Sequence, residues 1–438
     1  MSQAGPLIFY SSLVGMLTGL AVSGLAYLIN TLRSFLMGDL LGYLPPGLEA
    51  EGGFLQVFRG PMHWSLALLI PVFFVLSSYV GTGRGIGWFL AALRKGYPIQ
   101  TGDYARTLVG SVLQLGAGSP LGREGPMGTL GLWIGVTIGK RFPIGGARSY
   151  LPFAGLASAL AAAFHAPLAG ALLASEMVFR GLALEVTALA PALIGALAGF
   201  TVYGAWFGYG PLLEFNTPTL GWTALGFSLV LGALAAGVGS LWVAGVDWLR
   251  SNTTRIPFPI RHGVFGILLA GALFVAPESL GDGLSWLQIG ILPIFDVRFL
   301  AFLLLARFAT LMVAGGVRGY GGYLTPSLAL GGLLGLLAAE VAPAVSPSPE
   351  AAAIAGMCAL LAGVARAPFA AVVLSAELGG YTLLPLVLPA AFVAYAFTNV
   401  DHDLEMDLSL ADTPTPENSP TESAPQTSRP QPSPGEPG

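Results

Sequence analysis

The sequence predicts an all-α, polytopic membrane protein made of two repeated halves whose helices are broken inside the membrane. Three observations carry this: too little charge for a water-facing surface, apolar runs of spanning length, and Gly/Pro motifs that return at a fixed offset. The 438 residues are 54% hydrophobic and 10% charged, with a mean hydropathy of +0.73. A soluble domain carries about 25% charged residues, and even a large one needs a wet surface. Lipid must therefore cover much of this chain.

Apolar runs able to cross a bilayer, which takes roughly 20 residues, recur at 7–29, 63–81, 151–175, 222–244, 299–314 with its flanks, and 381–397. The first has no basic segment before it and more spans after it, so it reads as a transmembrane helix and not a cleaved signal. From Asp412 onward the chain is Pro, Ser, Thr, Glu and Gln without apolar periodicity, which cannot bury enough to offset ordering entropy. A disordered, cytoplasmic-type tail is expected over 406–438, with no soluble regulatory domain after the membrane region. The single cysteine, Cys358, cannot form an intrachain disulfide. A net charge of −4 spread thinly argues against a nucleic-acid partner and against a polybasic lipid patch.

The 61 glycines and 33 prolines are not scattered. Gly122-Arg123-Glu124-Gly125-Pro126 returns as Gly322-Tyr323-Leu324-Thr325-Pro326, and Leu130, Gly131 and Gly135 return as Leu330, Gly331 and Gly335, all 200 residues on. Ala166-Pro167-Leu168-Ala169 returns as Ala367-Pro368-Phe369-Ala370, Glu176 as Glu377 and Gly155 as Gly356, at 201. The chain thus reads as one repeat over 1–210 and another over 211–405, joined near 207–223.

Hydrophobic segments interrupted by Gly and Pro at matching places in two halves point to a transporter-type site. A helix that starts inside the membrane exposes first-turn N–H groups without partners. In hydrocarbon these are tolerated only when buried in protein or lining a cavity. They are also the positive end of the helix dipole, so an anion completes them. Two matched half-helices aimed at one point make an anion site without Lys or Arg. The alternative for any single glycine is close helix packing, as in GxxxG seams. The paired Gly-x-x-x-Pro motifs favour the site.

Gly122-Arg123-Glu124-Gly125-Pro126 resembles the signature of the CLC family of chloride channels and chloride/proton antiporters. Gly322-Tyr323-Leu324-Thr325-Pro326 is similar to that family's Gly-x-Phe-x-Pro, with Leu324 for Phe. Gly83-Arg84-Gly85-Ile86-Gly87 resembles its Gly-Ser-Gly-Ile-Pro with two substitutions. The order and spacing fit over nearly the whole hydrophobic region. The resemblance implies repeats of inverted topology and a homodimer with one pore per subunit in the cell (inner) membrane. The implied substrate is chloride, with protons as a possible second substrate and no cofactor.

It also implies roles. Glu124 becomes the gate, competing with chloride when ionised and swinging away when protonated. A carboxylate in such an apolar stretch costs about 2.5–3.5 kcal/mol on insertion scales, so something must favour keeping it; the plainer alternative is an ion pair with Arg123. The amides of Arg123, Glu124 and Gly125, and of Tyr323, Leu324 and Thr325, become anion contacts, together with Arg84, Gly85 and Ile86. Arg84 stands where the family has a small hydroxyl residue, and Thr82 offers one only if the alignment slides. The family's antiporters carry a second, inward-facing glutamate just after the position of Glu176; here it is Met177, which leaves Glu176 as a substitute proton carrier or a structural cap. The pore tyrosine expected near the last helix is absent, since Tyr395 sits too early. Arg307 and Arg366 are candidate buried partners for Glu176 or Glu377, and His165 reads as a packed helix-end residue.

Exchange of chloride for protons is thus the leading expectation, passive conduction the alternative, and a fluoride or nitrate carrier of the same fold the third. An enzyme would need clustered polar side chains in the membrane, and the sequence shows isolated glutamates. It carries no Gly-Lys-Ser/Thr phosphate loop, and its four histidines lack metal-ligand spacing.

Overall fold

The computed structural model describes residues 4–48, 58–60, 65–142, 150–179, 186–213, 221–291 and 295–399. The tail expected over 406–438 lies outside the described residues. Among the described residues, eight α-helices form the first half: α1 (Ala4–Arg33), α2 (Leu69–Val80), α3 (Ile86–Arg94), α4 (Thr101–Gly116), α5 (Glu124–Arg141), α6 (Leu151–Phe164), α7 (Pro167–Phe179) and α8 (Val186–Phe207). Eight more follow: α9 (Thr223–Thr253), α10 (Phe258–Val275), α11 (Leu284–Gly290), α12 (Val297–Gly316), α13 (Leu324–Val341), α14 (Pro349–Val364), α15 (Pro368–Gly379) and α16 (Leu384–Phe397). One π-helical extension, Ser34–Leu40, prolongs α1, and two short strands, β1 (Tyr43–Leu44) and β2 (Phe58–Arg59), pair antiparallel.

Each helix of the first half has its counterpart eight helices later. In the first half α1 packs on α6 and α8, and α5 on α6; in the second α9 packs on α14 and α16, and α13 on α14. The halves meet through α2 against α10 and α7 against α15. At the centre Gly122 and Gly322, equivalent residues, exchange both backbone hydrogen bonds, at 2.9 and 2.7 Å. An antiparallel bridge between equivalent residues places a local two-fold axis between them.

Among the described residues, six helical stretches are long and apolar enough to cross a membrane: Gly5–Leu40, Ala188–Phe207, Thr223–Thr253, Phe258–Val275, Val297–Gly316 and Leu324–Val341. Large apolar side chains such as Tyr27, Leu241, Val275 and Leu305 stand exposed on their outer faces, which is the surface an integral membrane protein turns to lipid.

The apolar run 151–175 does not form one span. It breaks at His165, whose φ of 51° is left-handed, and restarts at Pro167, which can open a helix but not continue one. Arg366, 201 residues later, does the same at φ 57° between α14 and α15. The break produces two short helices in each half.

Glycine lets the helices approach closely at both sites. A Cβ on Gly131 would strike the carbonyl of Gly155, and one on Gly155 that of Gly131; Gly331 and Gly356 are related in the same way. The seams α5–α6 and α13–α14 are therefore one design used twice.

Candidate anion site

α5 begins at Glu124 and α13 at Leu324, with Arg123 and Tyr323 as their N-cap residues. Neither N-cap side chain bonds its helix. Pro126 and Pro326 sit in the first turns, where a missing N–H removes one of the donors that has no helical partner. A Cβ on Gly125 would lie 2.6 Å from the amide nitrogen of Gly322. The first turn of α5 therefore lies against the glycine that precedes α13.

Glu124 crosses this junction. Its side chain is 1% exposed, and Oε1 accepts from the Thr325 backbone N–H at 2.9 Å while Oε2 accepts from the Thr325 hydroxyl at 2.6 Å. Gly122 and Gly322 flank the carboxyl so closely that a Cβ on either would collide with it. The carboxyl group thus occupies the N-terminal turn of α13, where the helix dipole and an unshared amide favour negative charge. Thr325 holds both Glu124 oxygens.

The third motif joins from α3. Gly85 caps that helix with extended backbone (φ −92°, ψ 178°), and the Ile86 side chain fills the space beside Gly128 on α5. Arg84 turns to α4: its guanidinium lies 3.1 Å from the Asp103 carboxylate and 4.0 Å from the centre of the Trp88 ring. Its charge is balanced by a first-turn carboxylate, and its backbone N–H donates to the Thr82 hydroxyl at 3.3 Å. Thr82 in turn shares a 2.7 Å hydrogen bond with Thr107.

Glu176 accepts from the backbone N–H groups of Phe369 and Ala370, at 3.0 and 2.7 Å, in the first turn of α15. Glu377 accepts from Leu168 and Ala169, at 3.0 and 2.7 Å, in the first turn of α7. Each half thus caps a broken helix of the other. The arginines expected to pair with these glutamates do something else. Arg307, fully buried, donates to the carbonyls of Glu278, Leu280 and Gly281, and Arg366 donates to the Tyr395 carbonyl at 2.6 Å and covers its ring. Main-chain donors were the nearer partners because the broken helices present them unpaired. Met177 is 1% exposed. His165 packs at the end of α6 with Nδ1 3.0 Å from the Gly210 carbonyl.

One residue had no signal in the sequence. Tyr320 reaches the third motif from the second half, its hydroxyl accepting from the Gly83 N–H at 2.6 Å, while its own N–H donates to Gln114 at 2.8 Å. It lies just before the Gly322 motif and far from the last helix, where a pore tyrosine was sought.

Residues 66–399 match the family model described as voltage gated chloride channel. The chain belongs to that family. An H(+)/Cl(-) exchange transporter ClcA of Klebsiella pneumoniae (strain 342) is 31% identical over 399 residues, covering 82% of this chain and 83% of that one. ClcA of Salmonella paratyphi A is 28% identical over 410 residues, 87% of this chain and 83% of that one. Among solved structures, a slow cyanobacterial Cl-/H+ antiporter matches with a TM-score of 0.78 at 24% identity, over 90% of this chain and 94% of that one. A CLC-type fluoride/proton antiporter matches at 0.75 and 21%, over 90% and 95%. The two-repeat, broken-helix architecture is therefore the family's fold.

Proposed function

We propose that this protein carries small inorganic anions, chloride first, across the membrane along a path through the junction of α5 and α13, with Glu124 as its gate. The observation that carries the reading is the Glu124 carboxyl group seated on the Thr325 amide. It is the protein's own anion in the place that the half-helix prepares for one. Ionised, it holds the place against chloride; protonated, it loses most of its attraction for the dipole and the path opens. The amides of Arg123, Glu124 and Gly125 and of Tyr323, Leu324 and Thr325 are the proposed contacts of the anion, with Gly85 and Ile86 on the same path. Arg84 contributes its backbone, since its side chain is engaged by Asp103.

Chloride/proton exchange is the proposed mechanism, because the gate itself takes up and releases a proton and the ClcA relatives bear that activity in their names. The proposed working form is a homodimer with one pore in each subunit, set in the cell membrane, each subunit having repeats at 1–210 and 211–405. Passive chloride conduction is the second reading, favoured by two observations: Met177 cannot relay a proton, and Glu176 is committed to the first turn of α15. Chloride and proton movements measured together in liposomes separate the two, since only exchange drives protons uphill on a chloride gradient. No anion flux at all from correctly folded protein would contradict both.

A further inference from the structure

The backbone from Val80 to Arg84, which leads into the Gly85–Ile86 part of the proposed path, is held residue by residue. One turn of α4, in the same half, supplies several of the holds. Arg106 donates to the carbonyls of Val80 and Gly81, at 2.9 and 3.3 Å. Thr107 shares its hydroxyl hydrogen bond with Thr82, and Asp103 pairs with Arg84. Gly83 is held from the other half, by the Tyr320 hydroxyl.

Tyr320 is fixed at both ends. At its root, the N–H donates to the fully buried Gln114 side chain, which itself donates to the Ser77 hydroxyl at 2.7 Å. Two residues on, Gly322 is bridged to Gly122. At its tip, the ring enters a slot cut by glycines. A Cβ on Gly81 would overlap the ring and its hydroxyl, and one on Gly110 would lie 3.1 Å from the ring. Phe258 and His262 of α10 flank the slot, their ring centres 6.4 and 5.9 Å from that of Tyr320, and the side chain is 3% exposed. Gly81, at φ −74°, and Gly110, inside α4, have backbone conformations open to any residue. What glycine provides at both is room for this ring.

We propose that Tyr320 is a positioning residue of the anion path: its ring and hydroxyl set the Gly83–Ile86 backbone at a fixed distance from the half-helix junction in which it is rooted. The proposal rests on the transport reading above. Main-chain N–H groups that bind a ligand must be placed to within about 0.5 Å. Gly83, at φ +69°, is a residue whose backbone moves easily between conformations. A side chain pinned at root and tip holds that backbone to α13, which α4 does not reach from its own half.

The test is the chloride dependence of flux from liposomes holding the full-length protein, unaltered or carrying Tyr320→Phe or Gly81→Ala. Tyr320→Phe keeps the ring and removes the hydrogen bond to Gly83. Gly81→Ala keeps the tyrosine and drives its hydroxyl away from Gly83. Each should raise the half-saturating chloride concentration about fivefold, the scale of one hydrogen bond, while maximal flux changes by less than about twofold. Half-saturation does not depend on how much of the protein is folded, so a purely structural tyrosine would lower maximal flux and leave half-saturation where it was. Half-saturation unmoved or lowered in either variant would overturn the positioning role while leaving the transport reading intact. No chloride flux from the unaltered protein would overturn the transport reading, and the positioning role with it.

Discussion

At the scale of residues, Glu124 and Thr325 form the contact on which the functional reading depends. Two hydrogen bonds hold the carboxyl group, one from a backbone amide and one from a hydroxyl. Thr325→Val removes only the hydroxyl. A hydrogen bond to a charged group contributes about 1.5–3 kcal/mol, so this variant should hold its gate less firmly and pass anions about tenfold faster at neutral pH. Radiolabelled chloride uptake would check it, and slower uptake would count against the gate's being held there. Glu124 was legible from the sequence because an acidic residue in an apolar, glycine-flanked stretch is costly and conspicuous. Thr325 was expected only through its amide; its hydroxyl acts because the side chain of the other half reaches it, a distance no local pattern reports. Arg84 shows the same limit, since its partner Asp103 is on the next helix.

Helices are where the duplication acts. Capping of α15 by Glu176 and of α7 by Glu377 uses the same distances in both directions. Glu176→Gln should therefore cost about 1–3 kcal/mol, the penalty of leaving a buried donor unsatisfied, and Glu377→Gln less, because its Leu168 donor is exposed; both are read as falls in Tm in detergent. If Glu176→Gln instead left Tm untouched and abolished proton movement, Glu176 would be a proton carrier and not a cap. The glycine seams give a second element-scale prediction. Gly131→Ala and Gly331→Ala should each destabilise by about 1–3 kcal/mol through overpacking, while Gly271→Ala, whose added Cβ meets open space, should be neutral or mildly stabilising; thermal unfolding of the three variants decides it. The paired motifs, and with them the duplication, were readable from the sequence. The single span expected over 151–175 was not correct, because hydropathy alone does not see that Pro167 ends one helix and opens another at His165.

At the scale of the molecule, two repeats meet at one bridge, Gly122 with Gly322, and everything proposed for function lies within a short reach of it. The half-helices α5 and α13 start beside it, and the Glu124 side chain crosses from one to the other there. Fold and family followed from the arrangement of Gly and Pro in the sequence, since those residues dictate where helices stop in lipid. Partner choice between the halves, Tyr320 with Gly83 or Glu377 with Leu168, needed three dimensions. The central claim is that Glu124 gates an anion path, and the most direct measurement is chloride efflux from liposomes over a range of pH, for the unaltered protein and for Glu124→Gln. Efflux of the unaltered protein should rise as pH falls, because protonation releases the carboxyl group from Thr325, whereas Glu124→Gln should conduct with no such response. An unchanged pH dependence in Glu124→Gln would contradict the account.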